Sequence, residues 1–238
     1  MSLPPPAYES VVLAYSIASR AVFLHETVTN CRCSGNSERC PKESHRSPGP
    51  APLSYRGAMT PPPYTYRPAT PADQGQLAAL DNSFTTDTRY AVTATPTGFT
   101  LRPTALEPPL TKHFPDDEDD PVDHTVVALD GDRVCGAVAV DYEDWNQRLA
   151  IRDIAVAPTH RGRGVGSGLM AQALSYGRSR GARTAWLEVT DINAPAIRAY
   201  QRMGFTLCGL DTSLYIGTAS EGETALFMSK PLGEGQRD

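Results

Sequence analysis

Residues 157–170 read APTHRGRGVGSGLM, and the residue types gathered there suit one kind of chemistry. Gly162, Gly164, Gly166 and Gly168 leave the backbone bare, while Arg161 and Arg163 bring positive charge. Glycine costs conformational entropy in any ordered structure, so such a cluster marks a close backbone approach, most often to a phosphate. Two common phosphate loops are excluded. The G-x4-G-K-[ST] loop needs a lysine, and this stretch has none. The dinucleotide fingerprint G-x-G-x-x-G fails in both registers, where Ser167 and Leu169 stand in place of the third glycine. The glycines alone remain compatible with a plain strand-to-helix turn.

A phosphate loop must be carried by a strand before it and a helix after it, and both are readable. LAIRDIAV (149–156) is a strand candidate ended by Pro158, and Leu169, Ala173 and Leu174 mark a helix closing near Gly181. Upstream, HTVVALDGDRVCGAVAVDY (124–142) predicts a hairpin around Asp130-Gly131. Downstream, TAWLEV (184–189) predicts a buried strand. NAPAIRAYQRMGF (193–205) predicts a short helix with Asn193 at its start, Pro195 in its first turn and Gly204 at its end. FTLCGL and TALFMSK add two strands. Earlier still, TYR (65–67) is a short strand. Thr70, Pro71 and Asp73 then open a helix with Leu77, Leu80 and Phe84 on one face. Residues 89–94 and 98–101 have short strand character around a T-P-T-G turn. The order β-β-β-α-β-α-β-β predicts an α+β fold with a mixed central sheet flanked by helices.

Composition narrows the function classes. With 22 Lys and Arg against 27 Asp and Glu, the net charge of −5 argues against a general nucleic-acid binder and suits small-molecule or cationic partners. No apolar run approaches the ~20 residues that span a bilayer. The apolar stretch Val11–Leu24 is broken by Arg20 and lacks a basic leader, so export is not expected; a cytoplasmic protein with reduced thiols is. Residues 1–63 are proline-rich and without period, a disordered or non-native leader ahead of a domain at 64–238. Cys31, Cys33 and Cys40 fit no zinc spacing, so no metal is expected. Met59 is a candidate natural start, and a chain beginning there is expected to keep full activity. PDDEDDPVD (115–123) carries six carboxylates and reads as a solvated loop, or as a field for a polycationic substrate.

The stretch R-x-x-G-x-G (Arg161, Gly164, Gly166), between the strand IAVAP and a helix, resembles the coenzyme A motif of the GNAT acetyltransferase superfamily. The N-x-P-A-x-x-x-Y-x-x-x-G-F pattern from Asn193 to Phe205 resembles its last helix. DNSFTTDT (81–88), PPLTKHFPDDEDDP (108–121), WNQRL (145–149), LEVTDINAPAIRAY (187–200) and RMGFTLCGLDTSLY (202–215) are similar to the streptothricin-acetylating branch, which includes nourseothricin-resistance enzymes. The resemblance covers about residues 64–230. It departs at Ala155, where the branch favours an acidic residue.

The resemblance implies an acetyl-CoA-dependent N-acetyltransferase acting on the β-lysine amine of a cationic antibiotic, with a splayed strand pair holding the acetyl-CoA. It implies that the amides of Arg161, Gly162, Arg163, Gly164, Val165, Gly166 and Ser167 hold the pyrophosphate, with charged help from Arg161, Arg163 and His160. The backbone of Ile154, Ala155 and Val156 would pair with the pantetheine arm, and Asn193 would both cap its helix and touch coenzyme A. By the same resemblance Glu188 is the base and Tyr200 the acid. Asp153 is a second base or an acceptor-binding carboxylate. The residues alone leave open an ion-paired Glu188, a core-packing Tyr200 and an exposed, idle Asp153. Asp81, Asp87, the 116–123 carboxylates, Tyr142 and Trp145 are candidates to line the acceptor site. A homodimer, a protein-amine acetyltransferase and a non-catalytic acyl-CoA-binding module are also left open.

Overall fold

The computed structural model describes residues 64–114 and 121–233. The expectations for residues 1–63, including Cys31, Cys33, Cys40 and Met59, and for residues 115–120 of the acidic run lie outside the described residues.

The chain begins with β1 (Thr65–Pro68), a 3-10 turn at Pro71–Asp73 and the short α1 (Gln74–Ala78). The predicted cap is present: the Thr70 amide and hydroxyl donate to the Asp73 carboxylate at 2.7 and 2.8 Å. Arg67 clamps the same carboxylate at 2.7 and 2.8 Å and holds it well below the usual range. The expected helical face through Phe84 is not formed. The Asp81 side chain accepts from the Ser83 amide at 2.9 Å, a local turn that competes with helix, and Phe84 opens a strand instead.

That strand, β2 (Phe84–Thr95), pairs with β3 (Gly98–Lys112) in a two-stranded sheet much longer than the sequence suggested. Pro103, Pro108 and Pro109 discourage a strand assignment there. They are tolerated because β3 pairs on one side only, so missing amides cost no ladder bond on the open side.

The remaining elements follow the predicted order. They are β4 (His124–Asp130), β5 (Arg133–Glu143), β6 (Arg148–Val156), α2 (Val165–Ser179), β7 (Thr184–Thr190), α3 (Ala194–Arg202), β8 (Thr206–Asp211) and β9 (Ala225–Pro231). The seven-stranded sheet runs β1-β4-β5-β6-β7-β9-β8. Only β6 and β7 are parallel; the other neighbours are antiparallel. The fold is therefore α+β with a mixed sheet, as expected.

Helix α2 buries Val165, Leu169, Met170, Ala173 and Leu174, one face at helical spacing. It packs across β4, β5 and β6, and glycines set how close it comes. A Cβ on Gly136 would meet the Ala155 carbonyl at 2.9 Å, and one on Gly177 would meet Leu149 at 2.8 Å. Leu149 is fully buried, so it has nowhere to retreat. Gly177→Ala should therefore destabilise the fold by about 1–3 kcal/mol from overpacking, less up to about 1 kcal/mol returned by helix propensity. Urea unfolding measures the balance; a stabilised variant would show that helix and sheet separate freely here.

Candidate active site

The sheet itself makes the opening. β6 and β7 pair from Arg148↔Thr184 to Ile151↔Leu187 and no further. Beyond that point β6 stays on β5 through Gly136↔Val156, while β7 stays on β9 through Thr190↔Ala225. Between Ala139↔Asp153 and Val140↔Ile151 the register slips, leaving Arg152 as an extra residue in β6. Such a bulge bends and twists its strand, which turns the last half of β6 away from β7. Arg152 is tied to Asp141 at 3.0 Å. One edge of residues 152–156 thus faces the gap with no strand beside it, as the splayed-pair expectation required.

The glycine loop closes one end of this gap. Gly162 and Gly164 hold φ of +73° and +88°, which side chains rarely adopt, and a Cβ on either would meet nothing within 4 Å. Gly164 is the N-cap of α2 and offers no capping side chain; the Gly168 amide donates to the Gly164 carbonyl at 3.0 Å. The amides of Val165, Gly166 and Ser167 precede that bond and are the orphan donors of a 15-residue helix, where its dipole is positive. This arrangement fits a pyrophosphate. Val165 contributes its amide alone, because its side chain is core.

The basic residues around the loop behave differently from one another. Arg163 is exposed beside it. Arg161 donates to the Val156 carbonyl at 2.8 Å and the Asp81 carbonyl at 3.3 Å, so it braces the loop against β6. His160 is turned aside: its ring nitrogens lie 3.0 Å from Thr159 and 3.2 Å from Asp130. Ala155 is buried, so its backbone alone reaches the gap; Ile154 and Val156 are half-buried on either side.

The three chemical side chains come from three elements. Asp153 is exposed on the diverging half of β6, and Glu188 is the first residue of β7 past the last pair with β6. Tyr200 comes from α3. Asn193 caps that helix by accepting from the Ala196 amide at 3.2 Å. At its far end Gly204, φ +88°, lets the Phe205 amide reach the Tyr200 carbonyl at 3.0 Å. Phe205 is buried and its ring lies 6.1 Å from that of Tyr200. The sequence RMGF thus fixes where the phenol sits.

Electrostatics tie the three together. Burial pushes the Tyr200 phenol far above its ordinary value, and the charges of Asp153 and Glu188 push it further. The carboxyl of Glu188 is raised by desolvation, although its side chain is open to solvent. A bond from the Tyr215 hydroxyl and the charge of Lys112 oppose that rise, while Glu223 adds to it. A raised carboxylate is a better proton acceptor near neutral pH, and a raised phenol keeps the proton a donor must hold.

Several residues here escaped the sequence reading. Tyr215, in the connection between β8 and β9, donates to Glu188 Oε1. Glu223 accepts from Thr190 and forms an ion pair with Lys112 at 2.6 Å, and Lys112 also reaches Ser220 at 2.8 Å. Asp191 is fully buried and bonded to Arg89 of β2 at 2.5 Å and to the Thr224 amide at 3.0 Å, which docks the β2–β3 hairpin beside the site. Such pairings are 27 to 111 residues apart, and no local spacing announces them.

Not every acceptor candidate arrives. Tyr142 pairs with Leu149 toward the closed end of the β6–β7 pair, where Arg180 lies 5.1 Å from its ring. Trp145 lies in the turn beyond, 74% exposed. Asp123 accepts from the Tyr142 amide at 2.8 Å and so belongs to that end too. Asp87 instead lines an open cavity of about 350 Å³ with Thr85, Thr86, Pro109, Pro195 and Arg198. Asp81 is spent on its own turn. Among the described residues no cluster of His, Cys, Asp or Glu could hold a metal ion, and no helix is long and apolar enough to cross a membrane.

Known proteins share this fold. The acetyltransferase (GNAT) family model matches residues 93–205. The streptothricin acetyltransferase of Streptomyces lavendulae is 53% identical over 180 residues, which are 71% of this chain and 95% of that protein. The crystal structure of a nourseothricin acetyltransferase is 58% identical with a TM-score of 0.67, covering 71% of this chain and 98% of that one. A Bacillus anthracis protein solved in complex with acetyl coenzyme A shares the fold at 22% identity and a TM-score of 0.62, covering 71% of this chain and 99% of that one. With an identity of 53% along nearly the whole of an acetyltransferase, the chain belongs to the acetyltransferase (GNAT) family.

Proposed function

We propose that the protein transfers the acetyl group of acetyl-CoA to a primary amine of a streptothricin-type antibiotic, the β-lysine amine, and so confers resistance. One observation supports the chemistry: Glu188 and Asp153 flank the point where β6 and β7 part and both act electrostatically on Tyr200, while the start of α2 lacks a capping side chain. The acceptor rests on the relatives named for streptothricin and nourseothricin.

Acetyl-CoA supplies the activated acetyl group and a thiolate leaving group. The chain's own residues do the rest. The amides of residues 165–167 and the side chain of Arg163 hold the pyrophosphate, and the open edge at 154–156 hydrogen-bonds the pantetheine arm as an added strand would. A lysine-type ammonium has a pKa near ~10.4, so it must shed a proton before it can attack. Glu188 accepts that proton, while Asp153 adds the negative charge that draws the cation in. Tyr200 keeps its proton until the sulfur departs. Holding amine and thioester in this order is itself a large part of the rate.

Thiol release tests the reading. Purified protein with acetyl-CoA should release thiol rapidly with streptothricin, and at least ~100-fold more slowly, by kcat/KM, with lysine-bearing peptides. Preference for peptides would make it a protein-amine acetyltransferase; release independent of any acceptor would leave only an acyl-CoA-binding module with slow hydrolysis.

A further inference from the structure

Glu188 is not alone on its face of β7. Side chains alternate along a strand, so Glu188 and Thr190 point the same way. Both meet the connection between β8 and β9: Tyr215 donates to Glu188 Oε1, and Thr190 donates to Glu223. Glu223 is held in turn by Lys112 at the end of β3, at 2.6 and 2.7 Å. Lys112 and Glu223 are both largely buried, with 11% and 14% of their side chains exposed. The connection is thereby pinned at Glu223 and Ser220, and at Thr224 through Asp191, while the Tyr215 hydroxyl reaches Glu188 from it.

We infer that Tyr215 is a positioning residue for the acetyl transfer: its hydroxyl occupies one oxygen of Glu188 and leaves Oε2 as the one that takes the acceptor's proton. The inference rests on Glu188 being the base. A carboxylate with both oxygens open rotates between equivalent poses, and one with an oxygen held does not. A phenol has a single proton to give, so Tyr215 serves orientation and leaves proton transfer to Glu188 and Tyr200. Burial and the Glu188 charge drive the Tyr215 phenol far above its ordinary value, so it stays a donor across the working range.

The charged and titratable groups that act on Glu188 are Tyr215 and Glu223 from the β8–β9 connection and Lys112 from β3, with Tyr200 from α3, which also feels the charge of Asp153 on β6. The Tyr215 bond and Lys112 favour the ionised base, against desolvation and Glu223. Removing the hydroxyl therefore raises the pKa of Glu188, and the acid limb of the rate profile moves to higher pH.

The experiment is the pH profile of kcat/KM for streptothricin in the full chain carrying Tyr215→Phe. Phenylalanine keeps the ring, so folding and the KM for acetyl-CoA should match the parent. On the acid side kcat/KM should fall roughly tenfold, the scale of one hydrogen bond to a charged group, and most of the loss should disappear on the alkaline side. A profile that superposes on the parent overturns the inference, as does a loss that vanishes completely at high pH, where the ionised carboxylate would still need orienting. In a Glu188→Gln background the same change should have no further effect; an undiminished second loss overturns it too. If Glu188→Gln itself leaves the profile unchanged, the base assignment falls and the inference with it. If Glu188→Gln removes the acid limb while Tyr215→Phe leaves it in place, the inference alone falls.

Discussion

Tyr200→Phe should lower kcat by about 10²–10⁴-fold, the range that general-acid assistance commonly supplies. The KM for acetyl-CoA should barely change, because the hydroxyl acts on the departing sulfur and the ring stays where it packs. That ring is held from below by Phe205 and through the backbone by the Phe205 amide on the Tyr200 carbonyl, contacts a phenylalanine retains. A drop in kcat and kcat/KM together, with KM unmoved, is the mark of an interaction made in the transition state. The environment favours this role: burial and the two nearby carboxylates keep the phenol protonated. Steady-state kinetics beside a melting curve checks the point. Unchanged turnover would leave Tyr200 as a packing residue and transfer the donor's role to water.

Gly164→Val should take coenzyme A binding below detection by calorimetry. The cause is the backbone. A Cβ at Gly164 meets no protein atom within 4 Å, so no packing clash opposes it. A β-branched residue at φ +88° is strained by about 1–3 kcal/mol, and the peptide relieves that strain by rotating. Rotation there swings the first-turn amides of α2 off their common target, and the branched side chain fills the space in front of them. Gly131→Val is the control. Gly131 also has a positive φ, +61°, and equal room for a Cβ, but it lies in the β4–β5 turn. It should lose comparable stability and bind coenzyme A normally. If Gly164→Val binds as the parent does, the loop does not hold the pyrophosphate.

Local signals were legible where the chemistry of the element is local. Asn193, Pro195 and Gly204 bracket α3, Gly131 turns the β4–β5 hairpin and Thr70 with Asp73 caps the first turn; each acts within a few residues. The β2–β3 hairpin was underestimated because prolines that forbid a central strand are harmless in a strand with one partner. Helix α1 was overextended because the spacing of Leu77, Leu80 and Phe84 gives no weight to the Asp81 side chain that ends it. At the site, the groups that family motifs carry (Glu188, Tyr200 and the loop amides) lie on the strand, helix and loop that the sequence assigns to them. The sequence put Tyr142 and Trp145 beside them, but β5 and the turn after it carry both to the closed end of the pair. It missed Tyr215, Lys112, Glu223 and the Arg89–Asp191 pair. Only the folded sheet brings together residues so far apart in the chain.

The break between β6 and β7 also bears on solubility. A row of unpaired strand amides and carbonyls is ordinarily a template on which another molecule's strand can add, and then another after it. The outer edges of this sheet are blunted in familiar ways. β1 has four residues and ends in Pro68, and β8 has six with a register slip against β9. The open edge at residues 152–156 has only the Arg152 bulge at its start, and the backbone beyond it stays bare, as a ligand that pairs with it would need. It is guarded by position instead. Anything that pairs with it has β7 on its far side, so a foreign strand could add once but could not present a fresh edge to the next. Placing the unpaired backbone inside the sheet keeps it usable for one extended small molecule and useless as a seed for aggregation.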